Sequence, residues 1–370
     1  MLTQYQFFVK KEYIFYNFLK ENCKAFYFFT SILKDFIQPI MLKHSFTLFL
    51  LCLFLNTYAQ KTEILTNPIL QNGADPWVVT DGDTFHYCYV RKDTVFLKSV
   101  KLISELVNAN ERIIWIPENG KAYSKEVWAP ELHFLDGRWY IYVAADDGKN
   151  ENHRMYVLAT SGKNINDGFS FVGKITDKSD KWAIDGSPFT YKDKMYFIWS
   201  GWEGDQNVQQ NIYIAEMDSP TSIKSERVLI SQPDYEWEKR GSSKDLPTIN
   251  EGPEVLQRKG KVFLIFSAAG SWSDHYCLGM LELSGKNPLL ASSWTKSPKP
   301  VFQSNDAVTS PGHASFIQIK NKNFIVYHSA HKKGAGWNRQ VNIQPYAWKN
   351  GKPNFGMPMP YGKSIKIKYW

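Results

Sequence analysis

The chain has 370 residues, 43% of them hydrophobic, with 44 Lys and Arg against 36 Asp and Glu for a net charge of +8. That composition excludes a disordered or collagen-like chain, and only 4 Cys exclude a small disulfide-stapled scaffold. No uninterrupted apolar run reaches the roughly 18–20 residues that cross a bilayer, so no membrane span is expected.

Residues 1–59 differ in composition from everything after them, and none of the 13 Trp lies there. From Met41 the sequence reads MLKHSFTLFLLCLFLNTYAQ. Lys43 and His44 precede an apolar run, Phe46–Leu55, and Thr57-Tyr58-Ala59 supplies a small-x-small step. This is the pattern of a secretory signal peptide. The expected organisation is an upstream extension of the reading frame at 1–40, a signal peptide at 41–59 and a single domain at 60–370, secreted or periplasmic. Without residues 1–59 the balance falls to 38 basic against 33 acidic residues, with no Lys/Arg run. Nucleic acid is therefore not an expected partner.

Five segments then repeat one pattern: a Pro, a short apolar stretch, a polar turn and an alternating aromatic-rich strand. They read DPWVVTDGDTFHYCYV from Asp75, APELHFLDGRWYIYVAA from Ala129, SPFTYKDKMYFIWSGW from Ser187, GPEVLQRKGKVFLIFSAAG from Gly252 and SPGHASFIQIKNKNFIVYHSA from Ser310. The anchoring prolines, Pro76, Pro130, Pro188, Pro253 and Pro311, are 54, 58, 65 and 58 residues apart. Hairpin turns are expected at Asp81-Gly82, Asp136-Gly137, Lys192-Asp193, Lys259-Gly260 and Lys322-Asn323. Further strands are expected at His153–Thr160, Asn211–Met217, Tyr276–Leu283 and Val341–Trp348.

Period-2 alternation dominates, and units of this length fit four strands each. The predicted fold is all-β, a five-bladed β-propeller with four-stranded blades around a central axial pocket. A β-sandwich would leave the fivefold recurrence unexplained. Cys88 and Cys277 fall in the first and fourth units, so they are expected to be unpaired core thiols.

Each Pro marks the start of a unit's innermost strand, which places the residues around it at one end of the central channel. Asp75 stands one residue before its Pro, Asp185 three before and Glu251 two before, while Glu131 follows its Pro by one and His313 by two. Asp before Pro is also ordinary turn chemistry, but that accounts poorly for three acids at equivalent repeat positions. Converging carboxylates repel one another and resist burial. Glycoside hydrolysis uses such an arrangement, with one carboxyl kept protonated for the leaving oxygen and another ionised to activate water.

GADPWV at Gly73–Val78, AIDGSPF at Ala183–Phe189 and NEGPEV at Asn250–Val255 resemble the three signature segments of glycoside hydrolase family 43. That family consists of five-bladed propellers that cleave arabinose and xylose linkages with inversion. The resemblance covers roughly residues 65–360. EVWAPELHF at Glu126–Phe134, HYCLGML at His275–Leu281 and PNFGMP at Pro353–Pro358 are most similar to the α-L-arabinofuranosidase branch.

The resemblance implies that Asp75 is the general base, Glu251 the general acid and Asp185 the third acid, which orients Glu251 and keeps its pKa raised. Inversion implies base and acid carboxyls ~6.5–9.5 Å apart, leaving room for a water. Glu254 is the rival for the acid, but it lies within the strand beyond the Pro, so Glu251 is preferred. His313 is implied to line the pocket floor, beside an ion or water, and Arg339 to contact substrate. Trp77 and Trp128 adjoin the axial positions and are expected to stack on a furanose ring, whereas Trp139 and Trp199 are expected to be packing. No cofactor is required. The resemblance admits a structural Ca²⁺ near the axis, although the chain offers no DxDxDG-type loop for one.

The expected partner is an oligosaccharide or polysaccharide containing arabinose or xylose, bound by a monomer. The long charged loop from Asp234 to Asn250 is expected to wall the site and select substrate. The reading is a secreted, inverting hydrolase that removes α-L-arabinofuranosyl residues from plant cell-wall polysaccharide, arabinan or arabinoxylan side chains. Alternatives are a β-xylosidase or endo-arabinanase of the same family, or a non-catalytic sugar-binding propeller, which would have no need of all three acids.

Overall fold

The computed structural model describes residues 62–369, in which every regular element except three single-turn 3-10 segments is a β-strand. The upstream extension and the signal peptide lie outside the described residues, as does the start of the expected domain. The protein is all-β. Each of the five expected repeats is an antiparallel meander of adjacent strands.

The first meander runs through Trp77–Asp81, Thr84–Arg91, Thr94–Val100 and Glu111–Trp115, and the second through Lys125–Leu135, Arg138–Asp146, Arg154–Thr160 and Phe169–Ile175. The third comprises Ala183–Tyr191, Lys194–Gly201 and Gln209–Ser219, with Ser222–Ile223 and Val228–Ser231 both pairing to the last of these. The fourth comprises Thr248–Arg258, Lys261–Ala268, Cys277–Leu283 and Trp294–Lys296, and the fifth Thr309–Ile319, Lys322–Ala330, Arg339–Lys349 and Lys352–Asn354. A short parallel pairing, Gln209 with Thr248 and Gln210 with Ile249, joins the third to the fourth.

Three hairpins turn where the sequence places them. Asp136-Gly137, Lys192-Asp193 and Lys259-Gly260 all have positive φ at both positions, the two-residue geometry whose twist matches the strands. The first turn is Gly82-Asp83, one residue later than expected, since Asp81 pairs with Thr84. The fifth is Lys320-Asn321, two residues earlier than Lys322-Asn323, because Ile319 pairs with Lys322. Core packing sets that register: Ile317 and Phe324, both buried, are direct partners, and a turn at Lys322-Asn323 would set Phe324 opposite Asn321 instead.

Alternating apolar residues leave each sheet apolar on both faces, and neighbouring sheets bury those faces against each other. Trp77, Cys88 and Leu97 of the first sheet pack on Leu132, Trp139 and Ile141 of the second. Tyr142 and Met155 pack on Phe197 and Trp199. Ile198 and Ile212 meet Leu264 and Phe266, and Phe263 and Leu278 meet Ile325 and Tyr327. A fifth core sets Phe324, Val326 and Val341 of the last sheet against Val78, Phe85 and Tyr87 of the first. Cys88 and Cys277 are buried, free thiols.

Thr62–Thr66 pairs antiparallel with Ser364–Lys368. Beside this pair, the Asn67 amide donates to the Ile343 carbonyl and accepts the Ile343 N–H, tying the start of the described chain to the fifth sheet. Among the described residues no helix is long and apolar enough to cross a membrane.

Candidate active site

The innermost strands share an irregularity at one end. Their register breaks between Ile184 and Ser187, between Glu251 and Glu254, and on both sides of Gly312. Backbone in the left-handed region accompanies each break: Asp185 has φ 53°, Gly252 55° and His313 45°, and Asp75, just before the first inner strand, has 46°. Asp and His tolerate this region better than most residues. A bulge frees a side chain from the alternating pleat and re-aims it. At Gly252 the fit is tight, since a Cβ would lie 3.1 Å from Cγ of His313 and the ring would have to yield.

Asp75, His313, His328 and Arg339 meet around one carboxylate. Oδ1 of Asp75 accepts from Nδ1 of His313 at 3.0 Å and has Nη1 of Arg339 at 3.6 Å. The Asp75 backbone N–H donates to Nδ1 of His328 at 3.0 Å, and the same ring nitrogen lies 3.3 Å from Oδ1 of Asp75. Burial alone would raise the Asp75 pKa, but the charge and hydrogen bond of His313 hold it well below the usual carboxylate range. The same contact works on His313. Burial opposes its charge, yet Asp75 and Asp185 push its pKa up to about 10, making it a cation at neutral pH. Burial, with the Arg339 charge nearby, holds His328 down at about 3.

Glu251 sits in the opposite condition. Burial first, and then the charge of Asp185, raise its pKa to about 7 against the pull of a hydrogen bond from Tyr276. That bond runs from the Tyr276 hydroxyl to Oε1 at 2.7 Å. Asp185, also buried, is raised to about 6 by desolvation against the attraction of His313. Its Oδ2 accepts the Gly252 backbone N–H at 2.9 Å, so it is bonded to the peptide following Glu251.

The remaining sequence-selected residues divide. Arg339 and His313 join the cluster as described. Trp77 does not: it is buried between the first and second sheets, its indole N–H donates to the Leu132 carbonyl at 2.8 Å, and its ring lies 4.8 Å from that of His133. Trp128 is half-buried, 4.0 Å from the ring of His153, with its N–H on Glu126. Trp139 and Trp199 are buried in the intersheet cores. Glu131 and Glu254 are a second acidic pair. Burial pushes both well above the ordinary range, the Glu254 charge adding to that at Glu131, and Oε2 of Glu131 lies 3.0 Å from Nε2 of His133.

The Asp234–Asn250 loop is pinned beside the cluster by a buried carboxylate. Glu238 accepts the N–H groups of Asp234 and Tyr235, the Asn250 amide at 3.1 Å and Nζ of Lys296 at 3.0 Å. Asn250 immediately precedes Glu251, so the loop's anchor also fixes the start of that strand.

Nδ1 of His313 is not open to a structural Ca²⁺. The Nδ1 proton of His313 is committed to Asp75 and the ring is itself cationic. Among the described residues no group of three or more His, Cys, Asp and Glu is disposed to hold a metal ion. The cluster can instead present an ionised carboxylate and a protonated carboxyl in one site, the pairing that acid–base displacement at an acetal carbon needs.

Two members of the cluster escape the sequence reading. His328 lies mid-strand in FIVYHSA, where it reads as one more alternating residue, and Tyr276 stands in HYCLGML without a local sign of its partner. Both act across strands, on residues 253 and 25 positions away.

Residues 65–353 match the family described as glycosyl hydrolases family 43. The extracellular exo-α-(1→5)-L-arabinofuranosidase of Streptomyces avermitilis is 32% identical over 82% of this chain and 66% of its own length. The α-L-arabinofuranosidase 43 of Humicola insolens is 33% identical over 80% of this chain and 64% of its own. The chain thus spans slightly less than two thirds of those two relatives. The crystal structure of an α-L-arabinofuranosidase from Lactobacillus brevis superposes with a TM-score of 0.74 at 32% identity, covering 80% of this chain and 98% of that one. With a match across most of its length, on the segments that build the acidic cluster, the chain belongs to glycosyl hydrolase family 43.

Proposed function

We propose that the protein is a secreted, inverting α-L-arabinofuranosidase acting on plant cell-wall polysaccharide, arabinan or arabinoxylan side chains, with its five sheets as the blades of a propeller around the acidic cluster. The observation that carries this reading is the split between two carboxyls. Asp75 is kept ionised by His313, while burial and Asp185 raise the Glu251 pKa to about 7. A lectin would have no use for that split. The cyclic order of the five intersheet cores supports the propeller. The leader-like segment at 41–59 and the extracellular relative from Streptomyces support secretion.

In the proposed reaction, Asp75 takes a proton from a water aligned behind the anomeric carbon. The C–O bond to that water forms as the glycosidic C–O bond breaks, and Glu251 delivers its proton to the departing oxygen. The sugar leaves with inverted configuration. Asp75 then loses its proton to solvent and Glu251 regains one. Asp185 acts through Glu251, holding its proton by charge and its backbone by the bond to Gly252. His313 and Arg339 keep Asp75 anionic. The chain's domain organisation, with a catalytic domain from residue 60, follows the same proposal.

Hydrolysis of 4-nitrophenyl α-L-arabinofuranoside and 4-nitrophenyl β-D-xylopyranoside, measured side by side, tests the assignment. Cleavage of the arabinoside, abolished in Asp75→Asn, is expected. Preference for the xyloside would overturn the arabinofuranosidase reading.

A further inference from the structure

The most exposed of the large apolar side chains carrying an aromatic ring is Trp337, 66% accessible, in the turn between two strands of the fifth sheet and two residues before Arg339. Isolated exposed apolar residues are common and need no explanation. Trp337 differs in how firmly it is held and in what holds it. Its indole N–H donates to Oγ of Ser271 at 3.2 Å, and the backbone carbonyl of the same Ser271 accepts from Nη2 of Arg339 at 2.8 Å. Arg339 in turn lies against Asp75. One serine therefore connects the exposed ring to the charged cluster. The ring of Trp272 meets Trp337 edge-on at 6.3 Å, its own N–H fixed on the Gly241 carbonyl.

The turn itself is braced. Gly334 donates its N–H to Oδ1 of Asp274 at 2.8 Å, and His331 and Asn338 close the turn across its base. Gly334 and Gly336 both have positive φ, which lets the chain reverse tightly and leave the indole at the outside. A rigid aromatic ring with its N–H satisfied loses little entropy when it packs against a flat apolar face. The C–H face of a sugar ring is such a surface.

Resting on the glycosidase reading above, we infer that Trp337 is the stacking platform for the sugar on the leaving-group side of the scissile bond. Its side of the site follows from the support. Ser271 and Trp272 lie in the loop joining Lys261–Ala268 to Cys277–Leu283, in the same repeat whose first strand, Thr248–Arg258, carries Glu251, and the acid must stand beside the leaving oxygen. Trp337 therefore favours chains over single arabinosyl units and is a specificity-determining residue outside the acidic cluster.

Trp337→Ala in the whole chain, with Trp337→Phe beside it, tests this on long and short substrates of two sugars. The pairs are arabinotriose with methyl α-L-arabinofuranoside and xylotriose with methyl β-D-xylopyranoside. On the cleaved sugar, KM for the trisaccharide is expected to rise about tenfold in Trp337→Ala, the scale of one aromatic contact, with kcat nearly unchanged. The methyl glycoside should be unaffected, and Trp337→Phe should recover most of the trisaccharide affinity. Equal KM values for wild type and Trp337→Ala on the trisaccharide would overturn the inference, as would equal losses on both substrate lengths. Cleavage of the xylo series alone would overturn the arabinofuranosidase reading while leaving the Trp337 comparison intact. Wild-type protein that neither cleaves nor binds either trisaccharide in calorimetry would overturn both.

Discussion

Oδ2 of Asp185 accepts the backbone N–H of Gly252 at 2.9 Å, so the third acid grips the peptide next to Glu251 while its charge opposes ionisation of the Glu251 carboxyl. Asp185→Asn keeps an acceptor for Gly252 but removes the charge. The Glu251 pKa should fall from about 7 toward the ordinary ~4.3. In its proposed role of general acid Glu251 acts while protonated, so the alkaline limb of kcat/KM against pH should move to lower pH. A limb that stays in place would show that burial alone sets the Glu251 pKa.

Tyr276 pushes the other way. Its hydroxyl donates to Oε1 of Glu251, stabilising the ionised form. Tyr276→Phe should raise the Glu251 pKa and carry the alkaline limb to higher pH, with a lower kcat because the carboxyl is less well aimed. The opposite displacement of the two variants is the test. Parallel shifts would mean a general loss of structure rather than the two contacts described.

His313→Gln should expose the acid side of the profile. Without the imidazolium, burial acts on Asp75 unopposed by its main partner, so the pKa of the base rises and the acid limb moves up. A stability signature accompanies it. The His313 pKa, about 10, lies above the unfolded value of ~6.5. Its contribution is therefore complete below about pH 6.5 and is lost as pH rises toward 10. The difference in thermal midpoint between wild type and His313→Gln should be largest near pH 6 and shrink in alkaline buffer.

Gly252→Ala combines two costs, a side chain at φ 55° and a Cβ 3.1 Å from the His313 ring. The left-handed backbone alone costs about 1–2 kcal/mol. A lower thermal midpoint is expected together with a larger loss of activity, since the displaced ring is the one that holds Asp75. Activity retained in full would show that the imidazole can yield without releasing the base.

The repeats, most turns and the three acids are legible in the sequence because they are local: a Pro, a turn dipeptide and an acid recur at fixed offsets. What the sequence does not show is what acts between distant segments. The pairing of Thr62–Thr66 with Ser364–Lys368 joins strands from the two ends of the described chain, and neither carries a turn or repeat signal. His328 and Tyr276 look like ordinary members of alternating strands until register places them against Asp75 and Glu251. Trp77 misleads for the converse reason. It stands two residues from Asp75, but Asp75 precedes the strand with left-handed backbone, whereas Trp77 opens the strand and buries its ring in the core between the first and second sheets.

The central claim is that Glu251 donates the proton to the leaving oxygen and Asp75 does not. It is tested most directly by Glu251→Gln, assayed on an α-1,5-linked arabino-oligosaccharide and on 4-nitrophenyl α-L-arabinofuranoside. Hydrolysis of the natural linkage should fall by ~10²–10⁴-fold, the usual weight of a general acid. The nitrophenyl glycoside, whose leaving group departs without protonation, should lose far less. Equal losses on both substrates would contradict the assignment.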